Sequence, residues 1–257
     1  MKKSVLKVQM FGAYSIEYEG KPISFERNTA TKTNQLMQIL LQAGEKGVAR
    51  AKLLSDLFGD EEMSNPANSL RATVFRLRRL LAAAGLPEDE YVTIKGGSYY
   101  WTSKIPYELD AHQFEDLLKK AEKENDLEKK KSNEEACELY RGEFLPQLGA
   151  EEWAVVLNVY YKNLFSNAIR TLCQVLKDEK DYKKLYHCAE KAAVIYPLED
   201  WQIWQMDSLI AMDRQDEAMV LYETTTELLY KELGLTPSDQ MKERFRHGTQ
   251  KKIGRLP

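Results

Sequence analysis

The sequence predicts a mainly α chain in two parts, a mixed α+β front over residues 1–104 and an all-α rear over residues 105–257. Three observations predict it. Short alternating segments punctuated by Gly and Pro open the chain, three helix-period segments and a Gly-Gly turn follow, and from about Asp110 onward only helix-period stretches separated by short breakers remain.

The first elements read as a β-meander. Val5 to Met10 alternates in period two, Tyr14-Ser15-Ile16-Glu17-Tyr18 follows Gly12, and a turn through Gly20 and Pro22 leads into Ile23-Ser24-Phe25. The period then changes. Leu36, Ile39, Leu40 and Ala43 line one face of a helix from about Thr31 to Gly44. A second, short helix from about Arg50 to Phe58 offers Leu53, Leu54 and Leu57. The third has the clearest start: Asn65 is a capping residue and Pro66 suits the first helical position. Leu70, Val74, Leu77 and Leu81 then form a continuous apolar stripe that Gly85-Leu86-Pro87 ends. Tyr91 to Ile94, Lys95-Gly96-Gly97-Ser98 and Tyr99 to Thr102 read as strand, tight turn and strand.

In the rear, breakers recur at Arg141-Gly142, Pro146 to Gly149, Asp178 to Asp181, Pro197, Asp213 to Asp216 and Gly234 to Pro237. Lys180-Asp181-Tyr182 and Arg214 to Ala218 are spaced by roughly the 34 residues of helical-hairpin repeats. The charged run Glu122 to Asn133 reads as a solvated helix end or loop. The rear's aromatics, Trp153, Tyr160, Tyr161, Tyr182, Tyr186, Tyr196, Trp201, Trp204, Tyr222 and Tyr230, are expected at inter-helix packing positions.

At 257 residues the chain is long enough to bury roughly 70–75% of its unfolded surface without staples. Apolar residues make up 43% and charged residues 30%, a soluble globular balance. The longest apolar run, Trp153 to Leu157, is far short of a membrane span, and the basic N-terminus lacks an apolar segment. A cytoplasmic protein with no membrane partner is expected, with Cys137, Cys173 and Cys188 reduced and packed as small hydrophobes.

The net charge of −3 conceals an asymmetry: residues up to Tyr107 carry +4 and the remainder −7. The front's positive charge concentrates in the third helix. Between Asn65 and Ala84 there are four arginines and no acid, whereas surface helices ordinarily mix signs. With the leucine stripe turned inward, Asn68, Arg71, Ala72, Phe75, Arg76, Arg78 and Arg79 face outward. Arginine suits bidentate contact with guanine edges and phosphates, small Ala72 permits close approach, and Phe75 suits a thymine methyl. Two helices, a basic third helix and a Gly-turned hairpin follow the order of a winged helix-turn-helix, which sets its third helix in the DNA major groove. Lys95 at the hairpin tip is the natural wing contact, and Lys32, Arg50 and Lys52 near helix starts suit phosphates. A basic helix alone fits a merely solubilised surface equally well; its meander and hairpin context favours DNA.

The block Asn68 to Leu81 (NSLRATVFRLRRLL) resembles the recognition helix of OmpR-type winged helices. Leu109-Asp110-Ala111-His112-Gln113-Phe114, Leu139 to Leu145 (LYRGEFL), Glu152-Trp153 and Leu233 to Ser238 (LGLTPS) resemble, in that order, the bacterial transcriptional activator domain. Together they are similar to SARP-type regulators over about Val5 to Met241. The resemblance implies a tetratricopeptide-like rear domain and an activator that binds double-stranded DNA at direct repeats, as a homodimer, and recruits RNA polymerase. It places Asn68, Arg71, Ala72, Phe75, Arg76 and Arg78 at groove-facing sites. Two positions depart from the family pattern: Leu57-Phe58 stands for Leu-Trp, and the wing lacks a basic residue after Ser98-Tyr99-Tyr100. With no ATPase-type segment following, the chain matches the small form of the family.

Enzyme readings find little. His112, His187 and His247 are far apart, no Cys shares a metal-ligand spacing with them, and Gly96-Gly97 lacks the Lys-Ser/Thr of a phosphate loop. Carboxylate neighbours such as Glu61-Glu62, Glu134-Glu135 and Glu151-Glu152 diverge on a helix. No catalytic residue, cofactor or metal is expected. The competing class is a helical-repeat adaptor for a protein or peptide, with a degenerate winged helix.

Overall fold

The computed structural model describes residues 4–23, 30–59 and 65–253, with side chains to residue 248. The chain forms two compact units, one of residues 1–119 with 138–162, the other of residues 120–137 with 163–257. Ser24, Phe25, Glu61 and Glu62 lie outside the described residues.

In the first unit, β1 (Leu6–Gln9) pairs antiparallel with β2 (Ser15–Tyr18), which pairs antiparallel with β3 (Lys21–Ile23). Glu19 and Gly20, with φ of 54° and 76°, make the primed two-residue turn whose twist suits a hairpin. Helix α1 (Lys32–Ala43) begins where the Thr31 hydroxyl accepts from the Asn34 amide. The two-residue β4 (Val48–Ala49) leads into α2 (Arg50–Phe58). Helix α3 (Pro66–Ala83) starts as its residues dictate: the Asn65 side chain accepts from the Asn68 amide and Pro66 sits in the first turn. Both α1 and α2 pack on α3. Leu36, Leu40, Leu53, Leu57, Leu70, Leu77 and Leu81 are fully buried, each contributing about 1.5–3 kcal/mol of transfer free energy.

The hairpin β5 (Val92–Lys95) and β6 (Ser98–Trp101) closes through Gly96-Gly97 and is joined by β4, in the order β4-β6-β5. This is a winged helix-turn-helix. Two strands were not legible in the sequence, β4 and β7 (Tyr107–Leu109). β7 lies parallel to β1 and completes the order β3-β2-β1-β7. Helix α4 (Asp110–Ala121) follows.

Residues 126–139 form α5 (Asp126–Leu139). The charged run expected as a helix end or loop is therefore largely helical, because Ser132, Asn133, Ala136 and Cys137 supply a buried face. After α6 (Glu152–Asp178), the helices α7 (Tyr182–Ile195), α8 (Trp201–Ala211), α9 (Gln215–Leu233) and α10 (Asp239–Ile253) pack consecutively in the second unit. The two repeat signatures share one turn geometry. Lys180 and Asp213 have φ of 62° and 64°, and the next amides, Asp181 and Arg214, reach back to the carbonyls of Leu176 and Leu209. The second unit's core includes Leu185, Ala189, Trp201, Met206 and Met241, a tetratricopeptide-like helical packing. The aromatics divide: Trp153, Tyr161, Tyr196 and Trp201 are buried as expected, whereas Tyr160 and Tyr230 are exposed, one on α6 and one on α9. Among the described residues no helix is long and apolar enough to cross a membrane.

Candidate nucleic-acid interface

The third helix buries Leu70, Thr73, Val74, Leu77 and Leu81 and turns the opposite face outward. Asn68, Arg71, Phe75, Arg76 and Arg79 are all exposed, and Ala72 is half-buried. Phe75 keeps 60% of its surface open to solvent, high for so large an apolar side chain. The Arg79 guanidinium lies over its ring, 5.9 Å from the centroid, one helical turn on.

The wing stands beside this helix and is fixed to the rest of the winged helix at several points. The Arg50 amide donates to the Gly97 carbonyl at 3.0 Å, joining the start of α2 to the wing tip. Tyr100 lies against Gly47, where an added Cβ would sit 2.4 Å from a ring carbon. Gly96 and Gly97 have φ of 59° and 79°, so the tip needs backbone that other residues adopt only with strain. Lys95 and Ile94 project from it, both exposed.

The candidate cations do not form one class. Arg50, Arg71, Arg76 and Lys95 have no ion pair among the described residues. Lys32, expected at a phosphate, lies 3.3 Å from the Glu151 carboxylate, which also accepts from Gln35 Nε2 at 2.8 Å. Lys52 pairs with Asp56 at 3.0 Å along α2. Arg78, expected in the groove, donates from Nη2 to the Val92 carbonyl at 2.5 Å and lies 3.6 Å from Glu90. It joins α3 to the wing, near the acids Glu88, Asp89 and Glu90 that mark one edge of the basic surface. Sequence spacing places Arg78 on the outer flank of the helix but carries no signal of the carbonyl that captures it.

A second set of residues links the activator-type motifs to this unit. The Asp110 carboxylate accepts from the Met10, Phe11 and Ala111 amides at 2.8–2.9 Å. Burial pushes its carboxyl above the usual range, against the lowering effect of those bonds and of Arg141. His112 Nε2 meets the Gln42 carbonyl at 2.8 Å, Arg141 donates to Gln9, and the Leu145 amide donates to the Met10 carbonyl. Phe11 lies at the centre of Phe114, Tyr140, Phe144 and Tyr161, with ring centroids 4.7–6.3 Å away. Burial also raises the Tyr161 hydroxyl, whose Glu115 partner adds to the shift. Sequence reasoning recognised these motifs but not their task of fastening the segment after the wing to the first strands.

His112 is thus a packing residue, while His187 and His247 are exposed and distant from it in sequence. Among the described residues no cluster of three His, Cys, Asp or Glu side chains could hold a metal ion.

Comparison with known proteins agrees with this arrangement. The family description "Bacterial transcriptional activator domain" matches residues 109–247, more than half of the chain. Protein RcaC of Microchaete diplosiphon is 28% identical over 120 residues, which are 43% of this chain and 18% of that protein. The chain thus spans under a fifth of that relative's length. Among solved structures, Mycobacterium tuberculosis EmbR, determined in complex with a low affinity phosphopeptide, superposes with a TM-score of 0.65. That likeness covers 98% of this chain and 66% of EmbR at 15% identity, and it shows the fold. The family is one of transcription regulators rather than a class of enzymes. The chain belongs to the bacterial transcriptional activator domain family.

Proposed function

We propose that this regulator binds double-stranded DNA, with α3 in the major groove and the Gly96-Gly97 wing against the neighbouring backbone. The observation that carries the reading is the set Arg71, Arg76 and Arg79 on α3 beside the wing, exposed and without an ion pair among the described residues, Arg79 resting on the Phe75 ring. Arg71, Arg76 and Arg79 reach base edges or phosphates, Asn68 and Ala72 line the approach, and Arg50 and Lys95 meet phosphates. Lys32, Lys52 and Arg78 already hold protein partners and contribute less.

The functional division runs at about residues 104 and 105, the front reading DNA and the remainder meeting protein. Residues 105–257 recruit RNA polymerase, and two copies sit on direct repeats to activate transcription. An exposed apolar group on α6, Val155, Val156 and Val159, supports a protein contact there.

Fluorescence anisotropy of the chain with duplexes from its own upstream region tests the reading. Binding is expected to weaken steeply as salt rises, with a slope of about −0.9 per phosphate neutralised. Arg76→Ala should cost about 1–3 kcal/mol if it reads a base. Salt-insensitive or undetectable binding refutes the proposal.

A further inference from the structure

Phe75 stands in an improbable place for a phenylalanine. It lies at the middle of the outward face of α3, with Arg71 one turn before it and Arg79 one turn after, at i−4 and i+4. No other large apolar side chain on that face is exposed, and Leu70, Val74, Leu77 and Leu81 are buried on the opposite side. A ring left 60% open to water between two guanidinium groups does nothing for solubility. The cations flanking it suit an anionic surface, and the one apolar group that a DNA major groove offers is the thymine 5-methyl.

The second observation concerns Arg79. Its guanidinium already lies over the Phe75 ring at 5.9 Å. A guanidinium held over a ring has fewer rotamers to lose on binding, so its N–H groups are presented over a narrower range of directions. A bidentate donor of this kind fits guanine O6 and N7. A phosphate contact would not need the ring.

We infer that Phe75 and Arg79 act as one reading unit, the ring meeting a thymine methyl and the guanidinium held over it hydrogen-bonding a guanine next to it. The inference rests on the DNA-binding reading above and adds the base chemistry that α3 selects. Arg71 and Arg76 then serve the flanking positions.

The test selects duplexes from a random-sequence library with the full chain, then remakes the enriched duplexes with deoxyuridine for thymine. Pairing is unchanged and only methyl groups are lost. Wild type is expected to lose roughly fourfold in affinity for one contacted methyl. Phe75→Ala, at an exposed site, should bind the thymine duplex more weakly and be indifferent to the exchange, whereas Phe75→Leu should keep part of the response. In a parallel series with 7-deazaguanine, which lacks the N7 acceptor, Arg79→Ala should lose less affinity than wild type. Equal deoxyuridine sensitivity in wild type and Phe75→Ala, or none in either, overturns the ring's role while leaving DNA binding intact. Equal 7-deazaguanine sensitivity with and without Arg79 overturns the guanine contact. A library that never enriches overturns the DNA-binding reading itself, and this inference with it.

Discussion

The carboxylate of Asp110 accepts the Phe11 amide at 2.9 Å, across 99 residues of sequence. With the Met10 and Ala111 amides it also serves as the first-turn acid of α4. One side chain therefore ends the first strand and starts the helix that follows the wing. Beneath it, Phe11 fills the aromatic cluster of Phe114, Tyr140, Phe144 and Tyr161.

Replacing that acceptor should be costly. Asp110→Asn can keep an oxygen for the Met10 and Ala111 amides but puts an amide N–H₂ against the Phe11 N–H, and should destabilise the chain by about 2–4 kcal/mol in denaturant unfolding. The pH dependence has a definite sign. Burial holds the folded carboxyl above its unfolded pKa, near 3.9, so the folded state binds the proton more readily. Its stabilisation is complete below the unfolded value and is lost as pH rises through the folded one. The stability gap between wild type and Asp110→Asn should narrow as pH rises from about 4; a widening gap contradicts the assignment.

Arg78 should behave as a strut and not as a groove residue. Arg78→Ala removes the donor to the Val92 carbonyl and should lower stability by about 1 kcal/mol. Arg71→Ala and Arg76→Ala, at exposed and unpaired sites, should stay within about 0.5 kcal/mol of wild type. The exposed ion pair with Glu90 adds little to this comparison. Thermal unfolding of the three variants separates the roles, and equal stability of all three removes the strut.

Gly47 and Gly96 share positive φ but not surroundings. Gly47→Ala would drive its Cβ to 2.4 Å from the Tyr100 ring, whereas Gly96→Ala meets nothing within 4 Å. The first should cost about 2–4 kcal/mol and loosen the β4–β6 pairing, the second about 1 kcal/mol from backbone strain alone. Similar melting temperatures for the two variants would contradict the close packing at Tyr100.

Lys32 provides the electrostatic contrast. Its ammonium already faces Glu151 at 3.3 Å, so releasing it to a phosphate breaks an existing pair. Lys32→Ala should leave the salt slope of DNA binding nearly unchanged, while Lys95→Ala, at a phosphate, should reduce it by about 0.9. Glu151→Gln should strengthen binding by freeing Lys32. Equal slope changes in the Lys32 and Lys95 variants would show that Glu151 does not hold Lys32 back.

Much of the fold was legible because its signals are local. The Asn65 cap, Pro66 and the Leu70-Val74-Leu77-Leu81 stripe place α3, and the glycine pair places the wing turn. β7 was not legible: three residues, Tyr107 to Leu109, have too short a pattern to read, and they are a strand only because β1 lies alongside. The aromatics of the rear could be assigned to packing as a group, yet Tyr160 and Tyr230 turn outward because helical period alone does not say which face a neighbour covers.

The order of elements, the basic outward face of α3 and the motif series of the activator domain are written locally, since caps, periodicity and composition act within a few residues. Which cations remain available is settled by folding. Glu151 engages Lys32 across 119 residues and the Val92 carbonyl engages Arg78 across 14, and no local pattern encodes a partner that arrives only when the chain has folded. Charge is a property of the residue, but its freedom to meet another molecule depends on what packs beside it.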